Sequence, residues 1–102
     1  MRKAAVFVNL IEAGILEHLS DGKYQLTYHD NYNGSPVSLT MPTKNKVYVF
    51  NQFPPFFEGL LPEGDMLEAM LRKYKLDKSD YFGQLLQVGN DVVGAVTVKE
   101  IL

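Results

Sequence analysis

The stretch FPPFFEGLLPEGD, residues 53–65, divides this chain into two halves of different character. It packs three phenylalanines and three prolines into thirteen residues and ends in two acids around a glycine. A core strand does not carry Pro54 and Pro55, because each proline removes a ladder donor. A disordered linker does not carry Phe53, Phe56, Phe57, Leu60 and Leu61, because disorder goes with few aromatics. The stretch is therefore a rigid packed connection, a surface that meets a partner, or both.

Upstream of it the chain reads as β. Lys3 to Val8 is a short apolar run, as expected of a buried strand. Leu10 to Leu19 has enough apolar residues for a helix, but Gly14 at its middle would cost a helix roughly 1 kcal/mol relative to alanine. A second strand is the better reading, after a turn at Asn9 and Leu10. Ser20-Asp21-Gly22-Lys23 is a hairpin turn signal. Tyr24, Leu26 and Tyr28 then alternate with Gln25, Thr27 and His29, the pattern of a half-buried strand. Asp30 to Pro36 is a loop with Asn33-Gly34 at its sharpest point. Val37 to Met41 alternates again and predicts a strand with Val37, Leu39 and Met41 inward. Pro42 to Asn45 breaks the chain, and Lys46 to Phe50 is a further short strand.

Downstream the spacing changes to helical. Glu58 to Leu61 fits one helical turn. Asp65 is placed to accept from a free first-turn amide, and Met66, Leu67, Met70, Leu71 and Tyr74 follow as one apolar stripe. A second, shorter helix is expected with Asp77 as its cap and Asp80 three residues on. Phe82, Leu85 and Leu86 form its buried side, and Gly89 its end. Asp91 to Val98 reads as a closing strand, with Gly94 at a bulge or close approach. The order predicts one α+β domain over residues 1–102: a small antiparallel, partly barrel-like sheet with two to three short helices in the C-terminal half.

Composition narrows the function. The chain has 102 residues, a net charge of −2 and a pI near 5.6. Direct nucleic-acid binding is not expected, since it goes with a basic patch or stripe. There is no cysteine, which removes disulfides, thiol nucleophiles and thiolate metal sites. The apolar run Ala4 to Val8 is too short for a signal core, and no segment approaches the ~20 apolar residues of a membrane helix. A cytoplasmic location is expected.

Catalytic patterns are missing. Gly89 to Gly94 has the glycines of a phosphate loop without its lysine and hydroxyl, and reads as a turn entering a strand. His18 and His29 have no ligand-like spacing. Glu58, Glu63, Asp65 and Glu68 are the densest carboxylates, and capping and solubility account for them. The serines lack a nucleophile elbow. No enzyme, cofactor or metal is expected.

Three segments carry a family resemblance: PVSLTMP (36–42), FPPFFEGLLPEG (53–64) and LDKSDYFGQLLQVGNDVVGAV (76–96). In this order they resemble the N-terminal domain of the HipA toxin kinases, and the earlier strands fit the same domain's hairpin start. In HipA proteins that domain is fused to a large kinase body. This sequence has no kinase lysine strand, His-Arg-Asp loop or Asp-Phe-Gly. A free-standing version looks like the HipS proteins of three-gene HipBST toxin–antitoxin systems. The resemblance implies a non-catalytic antitoxin that binds and neutralises a HipA-like serine/threonine kinase, HipT. The helix-turn-helix protein HipB would carry DNA recognition in the same complex. The alternative is a structural or activating subunit that completes a split kinase without inhibiting it. Phe56, Phe57, Leu61, Pro62, Glu63, Asp65 and Met66 are the expected partner contacts, because they combine apolar bulk, a rigid backbone and a charged edge.

Overall fold

Alternation in the first half becomes an antiparallel sheet. The computed structural model describes residues 2–90 and 94–102. Strand β1 spans Arg2–Val8, β2 Ile11–His18, β3 Tyr24–Tyr28 and β4 Val47–Phe50. Three helices follow, α1 Pro55–Glu58, α2 Gly64–Tyr74 and α3 Tyr81–Val88, and then β5 Val96–Ile101. The strand order is β4-β3-β2-β1-β5, with every pairing antiparallel. The sheet is open rather than barrel-like: β4 and β5 are free to be its two edges, and they do not meet.

Leu10 to Leu19 is mostly strand, and Gly14 shows why. A Cβ at Gly14 would lie 2.3 Å from the Thr27 carbonyl oxygen, so glycine lets β2 and β3 approach. The β1–β2 turn uses Asn9 (φ 51°) and Leu10 (φ 69°), both left-handed. That geometry suits the twist of a two-residue hairpin, although Leu is a costly residue for it.

One face of the sheet makes the core. Ala4, Val6, Val8, Leu16, Leu26 and Tyr28 cluster there with Phe53, Phe57, Phe82 and Leu85. Full burial of a side chain such as Phe57 stabilises by about 1.5–3 kcal/mol. An ion pair locks α3 to the first strand: the Arg2 guanidinium donates to Asp80 at 2.8 Å, and also lies over the Phe82 ring.

Five expectations need correction. Val37 to Met41 is not a strand, and Leu39 is 93% exposed, although Val37 and Met41 are buried as expected. The segment is held by a side chain instead of a ladder. The Tyr28 hydroxyl accepts from the Val37 amide (2.9 Å) and donates to the Met41 carbonyl (2.6 Å). Helix α1 begins at Pro55, ahead of the expected Glu58, because a first-turn proline forfeits no intrahelical donor. Helix α2 begins at Gly64 after Glu63, with Asp65 already inside the first turn. Helix α3 is capped by Asp80, which accepts from the Gly83 amide, while Asp77 organises the turn before it through Ser79. The closing strand begins at Val96; the expected Asp91 to Val93 portion lies outside the described residues.

Candidate partner-binding surface

Residues 53–66 divide into a buried half and an exposed half. Pro54 and Pro55 start α1: the Phe57 and Glu58 amides both donate to the Pro54 carbonyl at 3.0 Å. This turns Phe53 and Phe57 inward. Phe53 meets Tyr24 edge-on at 5.3 Å, and Phe57 is fully buried against Phe56. Phe57 is therefore a core residue in this conformation and presents nothing to a partner. Phe56 is half-buried, with part of its ring in contact with solvent.

After Gly59 the chain returns to the surface. Leu61 and Pro62 are half-buried, and Glu63, Asp65 and Met66 are exposed, Met66 by 74%. Gly64 (φ 60°) supplies the left-handed residue that turns the chain into α2. Leu61, Pro62 and Glu63 line a hollow of about 150 Å³ with Glu58, Leu67, Tyr81 and Gln84. The structure thus gathers Leu61, Pro62 and Glu63 at one place, continues to Asp65 and Met66, and leaves Phe57 out.

Two residues that the sequence did not single out belong here. Tyr81 is 40% exposed beside the hollow and packs on Phe53 at 5.6 Å. Gln84 is buried, and its amide donates to the carbonyls of Asp77 (3.2 Å) and Lys78 (3.0 Å). That contact fixes the α2–α3 connection and so the wall of the hollow. A glutamine within an apolar helix run, following an acid-rich turn, was the only sequence signal for it.

The carboxylates of Glu58, Glu63, Asp65 and Glu68 form no ion pair among the described residues. Glu58 and Glu63 border the hollow with Leu61, and Asp65 precedes Met66 in the chain. No group of three or more potential metal ligands occurs among the described residues. His18 stacks on Tyr24 at 4.3 Å, and His29 meets Glu12 at 2.6 Å, so each has a structural contact.

A family model described as the HipA N-terminal domain matches residues 4–99. The chain belongs to this family. A solved structure described as the N-terminal domain of HipA toxin superposes with a TM-score of 0.79 at 27% identity. That match covers all of this chain and 94% of the other. An uncharacterized protein of Haemophilus influenzae is 30% identical over 100 residues, 98% of this chain and 93% of its own length. The "Putative kinase Y4mE" of Sinorhizobium fredii is 29% identical over 73 residues, which are 72% of this chain but only 17% of that protein. The shared region is thus a small part of that larger protein. No helix among the described residues is long and apolar enough to cross a membrane.

Proposed function

We propose that this chain is a non-catalytic antitoxin that binds and neutralises a HipA-like serine/threonine kinase of the HipT type, with HipB as the DNA-reading member of the same cytoplasmic complex. The observation that carries the reading is a surface on a HipA N-terminal domain that joins half-buried Leu61 and Pro62 to exposed Glu63, Asp65 and Met66. Large side chains beside a backbone stiffened by Pro62 lose little entropy on docking, which favours anchoring contacts. Leu61, Pro62, Glu63, Asp65 and Met66 are the contacts, with Phe56 at the margin and Phe57 supporting them from below.

The test is a phosphorylation assay of the HipA-like kinase from the same genome, with and without this chain, beside a binding titration. Binding with loss of phosphorylation is the expected result. Binding with unchanged or increased phosphorylation would replace the antitoxin by a structural subunit of a split kinase. No binding would refute both.

A further inference from the structure

The two sheet edges are finished differently. On β5, the Val98 amide donates to the Gly89 carbonyl at 3.0 Å, so the end of α3 covers that edge. On β4, the Tyr28 amide donates to the Lys46 carbonyl, which with the register Leu26↔Tyr48 and Tyr24↔Phe50 fixes the pattern. Lys46, Tyr48 and Phe50 turn their backbone groups toward β3. Val47 and Val49 turn theirs outward, because bonded and non-bonded pairs alternate in an antiparallel ladder. Among the described residues these outward groups have no hydrogen-bond partner. Val47 and Val49 are also 46% and 53% exposed, and no proline or charge interrupts Val47 to Phe50. Edges are ordinarily blunted by such devices.

Beside this edge, on the inward side of β4, lies a cavity of about 350 Å³ lined by Thr40, Met41, Tyr48, Phe50, Pro54, Pro55 and Phe56. No charged side chain lines it. A free row of backbone groups flanked by a pocket for alternate side chains is the arrangement of strand addition: the main chain supplies affinity and the pocket supplies selectivity.

We propose that the β4 edge takes an extended segment of the partner kinase as an added strand, with an apolar side chain of that segment seated against Tyr48, Phe50 and Phe56. The inference rests on the kinase-partner reading above and extends its surface. Phe56 joins the cavity to the segment that leads to Leu61 and Met66, so one partner can cover both. A second copy of this chain is the poorer occupant. Two four-residue strands meeting edge to edge bury far less than the roughly 1,200 Å² of a stable interface.

Hydrogen exchange of the Val47 and Val49 amides, read in the free chain and in the complex with the HipA-like kinase from the same genome, is the deciding measurement. Slowing of both amides by at least about tenfold on complex formation is expected, since they gain hydrogen bonds only from an added strand. Val49→Pro removes one outward donor and leaves the β3 ladder intact, so it is expected to weaken kinase affinity about tenfold or more. Val49→Thr, which keeps the donor, is expected to stay within about twofold. Kinase binding with both amides exchanging as in the free chain overturns strand addition and leaves the antitoxin reading standing. Failure of the kinase to bind the folded wild-type chain overturns both. Protection already present in the free chain and rising with its concentration assigns the edge to a second copy, and also overturns the proposal. Should Val49→Pro fail to fold, the exchange measurement on the unmodified chain still decides.

Discussion

Phe57 and Met66 belong to one proline-punctuated stretch, yet Phe57 is fully buried and Met66 is 74% exposed. Both are large and apolar, so hydrophobicity does not separate them. Backbone geometry does. Pro54 and Pro55 wind the chain into α1 and point Phe57 at the sheet, while Gly64 swings the start of α2 outward. One half of the stretch is foundation and the other is surface. Substitutions in the two halves should therefore fail in different assays.

The largest effect is expected at the foundation. Phe57→Ala removes a fully buried ring and should cost about 3–5 kcal/mol in denaturant unfolding. Against a typical total of roughly 5–15 kcal/mol, this leaves a marginal fold. A loss below about 1 kcal/mol would mean that Phe57 is not a core residue, and would return it to the contact surface.

Next comes Tyr28→Phe. It deletes the hydroxyl that receives the Val37 amide and donates to the Met41 carbonyl, and leaves a buried donor unpaired. A cost of about 1–3 kcal/mol is expected. The exchange of the Val37 amide should accelerate more than that of the β2–β3 ladder, which places the damage in the 37–41 segment.

The effect of Met66→Ala should be smaller and of another kind. Unfolding should change by no more than about 0.5 kcal/mol, because the side chain is largely solvated. On the proposed function, affinity for the kinase should fall about tenfold, the scale of an anchoring contact. A Met66→Ala chain that unfolds early and binds normally would erase the distinction between the two halves.

These contrasts explain what the sequence made legible. Strands with partners on both sides were readable, because Tyr24, Leu26 and Tyr28 alternate over a full strand length and face one core. The five residues from Val37 to Met41 alternate too, but five positions fit both a strand and a loop pinned at its ends. Pro36 and Pro42 bracket that segment, and the pinning group is Tyr28, which lies outside it at the end of β3. The cap of α3 was ambiguous because Asp77 and Asp80 are chemically alike; Arg2, from the far end of the chain, pairs with Asp80. At the candidate surface, the sequence pointed to a stretch but not to its inner and outer sides. Turning Phe57 inward and Met66 outward depends on where α1 starts, and helix starts shift by a residue or more with local backbone bonding.

The smallest expected effects are in the pH dependence, and they too separate buried from exposed groups. Burial raises the Tyr28 phenol above its ordinary value near 10, partly offset by the Val37 amide bond. The folded state therefore holds that proton longer than the unfolded chain does. Stability from this group is intact below about pH 10 and is lost as pH rises through the folded value. Asp77 runs the other way: the Ser79 amide and hydroxyl lower its pKa, so its contribution is present above the ordinary carboxylate range near 4 and fades as pH falls through the depressed value. Thermal midpoints measured across pH should thus stay level between these limits and fall on both sides. Tyr28→Phe should flatten the alkaline fall, since it removes a titrating group from the core. Asp77→Asn should change the acid side only slightly, because Asp77 is exposed and solvent screens its contacts. An alkaline fall that is unchanged in Tyr28→Phe would assign it to Tyr24 or Tyr32, whose phenols are also raised by burial, and would remove Tyr28 as the titrating part of the core.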